Sequence, residues 1–259
     1  MKSTQSARKV KDRSVILSVT KVTKYFGGLK ALDEVDFQLY ESEILGLIGP
    51  NGAGKTTLFH LIAGVYKPDK GRIDFRNELI SGLRPDVICK KGIARTFQIT
   101  KPFLEMSTLE NVVVGSYFGS HEKPSLKKCK RQAKEILSLA GLADKHHVLA
   151  SQLTLVERKQ LELARVLSTR PSIVLLDEVV AGLNPTETLE MVELIKNIRA
   201  EGMTILMIEH VMKAIMGVSD RVIALNYGQK IAEGTPGEIV ANPEVIEAYL
   251  GGKPDAHVA

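Results

Sequence analysis

The chain has 259 residues, of which 44% are hydrophobic and 25% charged, values typical of a folded domain with a sizeable apolar core. No apolar run is long enough to cross a bilayer, and the apolar stretch behind the basic N-terminus is too short for a secretory signal. The two cysteines, Cys89 and Cys129, form no metal-binding spacing and no disulfide framework, which favours a reducing, cytosolic setting.

The net charge of +5 comes almost entirely from residues 1–14, which hold five Lys or Arg residues and one Asp. Short blocks of like charge are usually flexible and solvated, so we expect residues 1–14 to be a basic flexible tail. Attraction of this tail to an anionic membrane surface is the alternative. The rest of the chain has no basic stripe with interleaved aromatic residues, which argues against nucleic-acid binding.

Segments of strand character alternate with segments of helix character. Asn184 and Pro185 predict the start of a helix over Pro185–Ala200, between two continuously apolar or β-branched strands. A strand–helix–strand order with such strands is typical of a parallel sheet buried on both faces. The predicted strands are Val15–Lys21, Val35–Tyr40, Glu43–Ile48, Arg72–Phe75, Ile173–Leu176, Thr204–Ile208 and Arg221–Leu225.

The first motif with a chemical function lies between the strand Glu43–Ile48 and a helix that begins near Lys55. The segment Gly49–Thr57 fits G-x-x-x-x-G-K-[ST], the phosphate-binding P-loop. Its glycines let several backbone N–H groups converge on one anion, and the helix adds the positive end of its dipole. We expect Lys55 to reach the β- and γ-phosphates of a nucleotide and the Thr56 hydroxyl to bind Mg²⁺. The predicted nucleotide-binding residues of this loop are Gly49, Asn51, Gly52, Ala53, Gly54, Lys55, Thr56 and Thr57.

The middle of the chain, from about residue 99 to residue 169, has no clear strand pattern. A run from Leu126 to Ala140 places its apolar residues on one helix face, and Gly141 fits the C-cap. Val156–Ser168 forms a second amphipathic pattern. The sequence therefore predicts a helical subdomain inserted into an α/β core.

A second strong motif is the apolar strand Ile173–Leu176 followed by Asp177 and Glu178, the Walker B arrangement. The strand carries Asp177 to its C-terminal end beside the P-loop, where a carboxylate can hold Mg²⁺. Glu178 is then placed to orient or deprotonate an attacking water. The alternative, that Asp177 only caps the next helix, is weakened by the P-loop upstream.

Together these motifs resemble those of the ATP-binding-cassette (ABC) ATPases. The segment Gly92–Gln98 is similar to the family's Q-loop, which implies that Gln98 contacts Mg²⁺ and the attacking water. His210, after the strand Thr204–Ile208, resembles the switch histidine that hydrogen-bonds the γ-phosphate. Phe26 matches the aromatic residue that stacks on adenine, although a core aromatic is the alternative.

The resemblance implies an α/β fold with a P-loop NTPase core, an N-terminal antiparallel β subdomain and an inserted helical subdomain of about residues 99–169. The ATPase domain would then span residues 15–251, with a short tail at 252–259. Two such subunits would close over two ATP molecules. Each ATP would lie between the P-loop of one chain and the signature segment of the other.

One branch of the family is more similar than the rest, namely the ATPase subunits of branched-chain (hydrophobic) amino-acid importers. The spans that carry this resemblance include Lys24–Leu32, Ala181–Pro185 and Asn242–Gly251. Such a subunit would work at the cytoplasmic face of the membrane as a peripheral protein. Its partners would be integral-membrane permease subunits, bound near Gln98–Phe103, a second ATPase subunit, identical or paralogous, and indirectly a solute-binding protein.

The signature segment is where this chain departs from the family. Leu153–Glu157 stands in place of Leu-Ser-Gly-Gly-Gln, so Thr154 and Glu157 would contact the nucleotide of the opposite subunit. Val156 replaces the second glycine, which removes its φ freedom and brings a β-branched side chain toward the phosphate. We therefore expect impaired hydrolysis at this composite site. A weakly hydrolysing, nucleotide-gated regulatory subunit paired with a paralogue, or the ATPase of a urea or lipopolysaccharide system, is the alternative.

Overall fold

Two β-sheets and several helices make up the computed structural model, which describes residues 13–96, 101–119 and 124–250. The strands are β1 (Val15–Phe26), β2 (Leu29–Tyr40), β3 (Ile44–Ile48), β4 (Lys70–Phe75), β5 (Glu78–Leu79), β6 (Ile93–Arg95), β7 (Ile173–Asp177), β8 (Thr204–Ile208), β9 (Arg221–Asn226) and β10 (Gln229–Gly234). The α-helices are α1 (Lys55–Ile62), α2 (Pro85–Lys91), α3 (Thr108–Phe118), α4 (Leu126–Leu139), α5 (Leu155–Ser168), α6 (Pro185–Ala200), α7 (Met212–Val218), α8 (Pro236–Val240) and α9 (Pro243–Leu250).

The first sheet is antiparallel, with strand order β2-β1-β4-β5. Its strand β1 continues five residues beyond the predicted end at Lys21. Lys21 has a positive φ of 47° and the β1–β2 register shifts between Val19 and Val22, which marks a bulge that bends the strand without ending it. The β1–β2 hairpin closes through a turn at Gly27, so Phe26 lies at the tip of the hairpin.

The second sheet has the order β10-β9-β3-β8-β7-β6 and is parallel except for β10. Strands β3, β7 and β8 are buried at every position, as their continuous apolar runs predict. Because these strands are parallel, the segments after β3, β7 and β8 meet at one edge. This shared border is called the catalytic edge below.

Side chains alternate across the parallel sheet and divide its core into two layers. Leu45 and Leu47 face the antiparallel sheet and α1, where Phe59 is fully buried. Ile44 and Ile48 face the opposite layer, which contains residues of α5, α6 and α7. Burial of side chains of this size contributes about 1.5–3 kcal/mol each, so both layers hold the catalytic edge in place.

Helices α3, α4 and α5 enclose a third, smaller apolar cluster. On α4 the buried face contains Cys129, Ala133 and Leu137, and the helix ends with Ala140 as its cap. Gly141, predicted as the cap, is the next residue and has a φ of +78°. These helices lie within the predicted range 99–169, while the domain limits and the tails at 1–14 and 252–259 stay predictions. None of the helices in the described part of the chain has the length and apolar character needed to span a bilayer.

Candidate nucleotide-binding site

The loop between β3 and α1 has the backbone that its glycines predict. Gly52 and Gly54 have φ values of +81° and +98°, in the left-handed region that side chains disfavour. A β-carbon on Gly54 would lie 2.6 Å from the Ala31 carbonyl oxygen. No side chain of the described residues caps the start of α1 at Gly54. The first N–H groups of the helix therefore remain available to an anion.

Lys55, the first residue of α1, is only 6% exposed and lies against the loop. Its Nζ donates hydrogen bonds to the carbonyl oxygens of Gly49 at 2.6 Å and Pro50 at 2.9 Å. Burial lowers the pKa of Lys55, and the nearby carboxylates of Glu178 and Asp177 oppose that change. A cation is thus held among groups that stabilise its charge at the mouth of the loop.

A cavity of about 470 Å³ opens at the catalytic edge. Phe26 lines it and is 41% exposed, packed edge-on against Tyr66 with ring centroids 5.2 Å apart. An aromatic face at the rim of a phosphate-binding loop suits a purine ring, and its exposure excludes the core role for Phe26. The other lining residues are Leu29, Lys30, Ala31, Asn51, Gly52, Ala53, Gly54, Lys55, Thr56, Thr57, Glu178, His210 and Tyr227.

Asp177 ends β7 and is buried at the catalytic edge. Burial raises the pKa of Asp177, whereas Arg95, whose guanidinium lies 3.3 Å from Oδ2, lowers it. Among the described residues, Oδ1 of Asp177 is buried and has no hydrogen-bond partner. The helix that follows is capped by Asn184, which accepts hydrogen bonds from the N–H groups of Thr186 and Glu187. Asp177 therefore does not serve as the cap of that helix.

Glu178 and His210 meet where β7 and β8 end. Oε1 of Glu178 lies 2.7 Å from Nε2 of His210, which donates when that nitrogen carries the proton. Glu178 has a φ of +52°, and its N–H donates to the carbonyl oxygen of Ile208 at 3.0 Å. A carboxylate hydrogen-bonded to an imidazole beside a phosphate-binding loop is suited to general-base chemistry.

Comparison with known proteins agrees with this geometry. The family model described as ABC transporter matches residues 32–181, more than half of the chain. The chain belongs to the ABC transporter family. A further model, described as branched-chain amino acid ATP-binding cassette transporter, matches residues 229–255.

Three ABC proteins illustrate the similarity. The high-affinity branched-chain amino acid transport ATP-binding protein LivG of Escherichia coli K12 is 43% identical over 249 residues, covering 91% of this chain and 98% of LivG. The ADP conformation of the cassette MJ1267 has a TM-score of 0.84 and 32% identity, covering 92% of this chain and 99% of that one. A dimeric structure of the cassette MJ0796 has a TM-score of 0.76 and 26% identity, covering 85% and 99%. The predicted family and fold class are confirmed.

The ABC signature segment lies away from this cavity. Thr154 is the N-cap of α5 and accepts a hydrogen bond from the N–H of Glu157, whose carboxylate accepts one in return from the N–H of Thr154. Glu157 also forms an ion pair with Lys145. Neither Thr154 nor Glu157 is among the described residues that line the cavity. Their predicted contact with nucleotide thus requires a second chain, and it stays a prediction.

Val156 lies in the first turn of α5, and its side chain packs against the apolar layer shared with α6 and α7. An α-helical residue has a negative φ, so this position does not use the conformational freedom of glycine. That part of the argument about Val156 is wrong. The steric effect of its side chain on an approaching phosphate stays a prediction.

Gln98 lies outside the described residues, and its predicted role stays a prediction. Three other residues at the site were not predicted. Lys159 Nζ donates to the carbonyl oxygen of Glu178 at 3.2 Å, and Glu209 Oε1 accepts from the N–H of Val180 at 2.8 Å. The hydroxyl of Tyr249 accepts from the N–H of Gly49 at 2.8 Å.

A signal for two of these residues was present in the sequence. Lys159 falls on the apolar face of α5, and Glu209 directly follows the uninterrupted apolar strand β8. Charged residues in such positions are rarely buried without a partner. Nothing in the local pattern around Tyr249 indicates its contact with a loop 200 residues away.

Proposed function

We propose that this chain is the ATP-hydrolysing subunit of an ABC importer for branched-chain or other hydrophobic amino acids. The observation that carries the proposal is the Glu178–His210 hydrogen bond of 2.7 Å within the cavity that Lys55 and the P-loop also line. The similarity to LivG, named for branched-chain amino acid transport, supports the class of solute.

In this function the P-loop amides and Lys55 bind the phosphates of ATP, and Phe26 stacks on the adenine. Glu178 orients and deprotonates the attacking water, while His210 forms a hydrogen bond with the γ-phosphate. Gln98 is assigned a contact with the same water. Burial of Lys55 and Asp177 strengthens their interactions because little water competes for their charges.

The donor set fits Mg²⁺. Oδ1 of Asp177 is a buried acceptor with no partner among the described residues, and Thr56 lines the same cavity. Mg²⁺ typically takes one or two protein oxygens and completes its shell with phosphate oxygens and water. Thr56, Asp177 and Gln98 would hold the ion, and it would neutralise charge on the phosphates during transfer.

Two subunits would close on two ATP molecules, with Thr154 and Glu157 of each facing the nucleotide of the other. The dimeric MJ0796 cassette supports this arrangement. In the described part of the chain the N–H of Glu157 is bonded to Thr154, so the amides of Leu155 and Val156 are the ones open to a phosphate from outside the chain. The partner is a second ABC ATPase subunit, identical or paralogous.

A groove of about 310 Å³ between the α/β core and the helices α3 and α5 is the proposed site for an integral-membrane permease. Arg165 lines the groove, and its guanidinium lies 4.7 Å from the centroid of the Phe103 ring. Arg165 also donates to the carbonyl oxygen of Lys101 at 2.8 Å. Lys101 and Phe103, which both contact Arg165, belong to the segment Gln98–Phe103 predicted to bind the permease. The chain would therefore act as a peripheral protein at the cytoplasmic face, with the solute-binding protein reached only through the permease.

The test of hydrolysis compares steady-state ATPase activity of the purified chain with that of Glu178→Gln. Activity that is lost in the variant while ATP still binds supports the proposal. If the chain is inactive alone, the same pair is assayed with its co-purified membrane partners. An active Glu178→Gln variant contradicts the assignment of the general base.

The solute is tested by uptake in cells that lack this chain and are complemented with it. Restored uptake of radiolabelled leucine supports an amino-acid importer, and restored urea uptake or lipopolysaccharide export supports a different ABC system. The wild-type chain and Lys55→Ala provide the matched positive and negative controls.

The second candidate is a nucleotide-gated regulatory subunit that closes on ATP but hydrolyses it weakly. Val156 favours it because a branched side chain stands at the signature position. This function requires that the chain dimerises when ATP is added but does not hydrolyse it. Adding other subunits should not restore hydrolysis at the site that uses this signature.

A further inference from the structure

Two buried charged residues, Lys159 and Glu209, lie behind the catalytic edge, outside the cavity that the nucleotide would fill. Lys159 belongs to α5, the helix that Thr154 caps, and is 8% exposed. Glu209 lies between β8 and His210 and is 1% exposed. Charges this deeply buried persist only where other groups stabilise them. Their contacts therefore indicate what they are for.

Each residue contacts the backbone beside the proposed general base. Lys159 Nζ donates to the carbonyl oxygen of Glu178 at 3.2 Å. Glu209 Oε1 accepts a hydrogen bond at 2.8 Å from the N–H of Val180, two residues after Glu178. Burial lowers the pKa of Lys159 and the negative charge of Glu209 raises it again, so the two charges attract each other.

The backbone that they hold is strained. Glu178 has a φ of +52°, a left-handed conformation that a residue with a β-carbon adopts only where its surroundings impose it. The N–H of Glu178 is fixed to Ile208, its carbonyl to Lys159, and the amide of Val180 to Glu209. The three contacts come from β8, from α5 and from the residue directly after β8. In this arrangement the Glu178 carboxylate lies 2.7 Å from His210.

We propose that Lys159 and Glu209 are paired positioning residues that couple the start of α5 to the Glu178–His210 pair of the same chain. The inference rests on the proposed function. Lys159 lies five residues after Thr154, about 7–8 Å along a rigid helix. A phosphate bound at the start of α5 would come from the ATP of the opposite site. The occupancy of one site is thereby transmitted to the general base of the other.

The coupling predicts a particular kinetic effect. If α5 shifts when its first turn meets a phosphate, Lys159 moves with it and changes the position of the Glu178 backbone. Loss of the lysine would leave each site able to bind ATP but would loosen the general base. The turnover number should therefore fall while the affinity for ATP remains, and the two sites should lose their cooperativity.

The experiment uses full-length Lys159→Met, which keeps the length and apolar stem of the side chain but removes the charge. We expect kcat to fall about tenfold or more, because small misplacement of a reacting group is costly. The dissociation constant of a fluorescent ATP analogue should stay within about twofold of wild type, and the Hill coefficient for ATP hydrolysis should fall toward one. Lys196→Met, which removes an exposed lysine of α6, is the matched control and should change none of these values.

Glu209→Gln tests the pair, since it keeps an acceptor oxygen for Val180 but removes the charge. It should lower kcat severalfold at unchanged ATP affinity, and the double variant should lose less than the product of the two single effects. Independent, multiplicative effects overturn the pairing. An unchanged kcat in Lys159→Met overturns the positioning role.

Three outcomes separate this inference from others. Equal loss of kcat and ATP affinity, together with a lower melting temperature, would assign Lys159 and Glu209 to general stability and overturn the coupling. A wild-type chain that hydrolyses no ATP, alone or with its partners, overturns both the inference and the proposed function. Wild-type activity with an unaffected Lys159→Met variant overturns the inference alone.

Discussion

The catalytic edge and the start of α5 both bear motif residues, but they are stabilised in different ways. At the edge, the described catalytic candidates Glu178 and His210 lie far apart in sequence and are hydrogen-bonded to each other. At the start of α5, Thr154 and Glu157 are hydrogen-bonded to each other in a capping box of four residues. The edge is therefore organised within one subunit. In the proposed function, the start of α5 is a capped helix end until a second chain supplies its ligand.

The largest expected effect comes from breaking the edge at its reacting group. Glu178→Gln removes the base but keeps the shape of the side chain, so kcat should fall about 100-fold or more. ATP binding should persist, because the P-loop contacts are untouched. Stopped-flow binding and steady-state hydrolysis on the same sample measure the two quantities. Glu187→Gln, in the capping box of α6, is a control for loss of a carboxylate and should keep its kcat.

A second test uses the pH dependence of the protein's stability that results from the buried carboxyl group of Glu209. Burial raises the pKa of Glu209 from 4.5 to about 7, with Glu178 adding to the rise and Lys159 and the Val180 and His210 amides opposing it. The folded chain thus binds more protons than the unfolded chain between these values. The free energy of unfolding of the wild-type chain therefore falls as the pH rises from 4.5 to about 7.

Glu209→Gln does not titrate and should lack this loss. Between pH 5.5 and pH 8, the stability of the variant relative to wild type should rise by about 2 kcal/mol. Urea unfolding at four pH values measures it, with Glu193→Gln on the exposed face of α6 as the control. Parallel stability curves for Glu209→Gln and wild type would contradict the assignment.

A third test asks how far the edge extends. The Tyr249 hydroxyl, on α9, accepts a hydrogen bond from the first amide of the P-loop, and burial raises the pKa of Tyr249. Tyr249→Phe should weaken ATP binding about threefold to tenfold, since one hydrogen bond contributes about 1 kcal/mol. Titration with a fluorescent nucleotide measures the change. Tyr117→Phe, on α3 and outside the described residues that line the cavity, is the control. Equal affinities for all three proteins would limit the edge to residues before α9.

The smallest expected effect concerns the start of α5. Val156→Gly should raise turnover about twofold to threefold in a homodimer if the branched side chain keeps the phosphate at a distance. It should also lower the melting temperature, since the side chain packs against the core and glycine costs about 1 kcal/mol in a helix. ATPase assays and thermal melts read the two effects separately. Val156→Ala keeps the helix more stable, and no gain in either variant would count against the steric argument.

Much of the difference between the catalytic edge and the start of α5 could be predicted from the sequence. The P-loop and His210 come after apolar strands and Asp177 ends another, so the apolar pattern predicts their positions. Parallel pairing of the strands then brings the three together. The helix Pro185–Ala200 was predicted with its observed limits because Asn184 and Pro185 mark its start. Local sequence signals were sufficient for the strands and helices whose ends are set by neighbouring residues.

The remainder depends on long-range contacts that no local pattern contains. Strand β1 was predicted too short because Lys21 adopts a positive φ imposed by its neighbours in the sheet. Strand β10 was missed because it is an edge strand in which no position is fully buried. The contacts of Lys159 and Tyr249 join residues whose proximity only the folded chain defines.

The position of β3 has a consequence for the order in which the protein is made. This strand leads into the P-loop, yet its two neighbours in the sheet are β8 and β9. Leu45 pairs with Leu206 on one side and Arg221 on the other, so the ribosome must add about 160–180 further residues before β3 has a partner. Contacts at such separation form slowly and late. The loop that defines the protein is therefore among the first segments synthesised and among the last to acquire its structure.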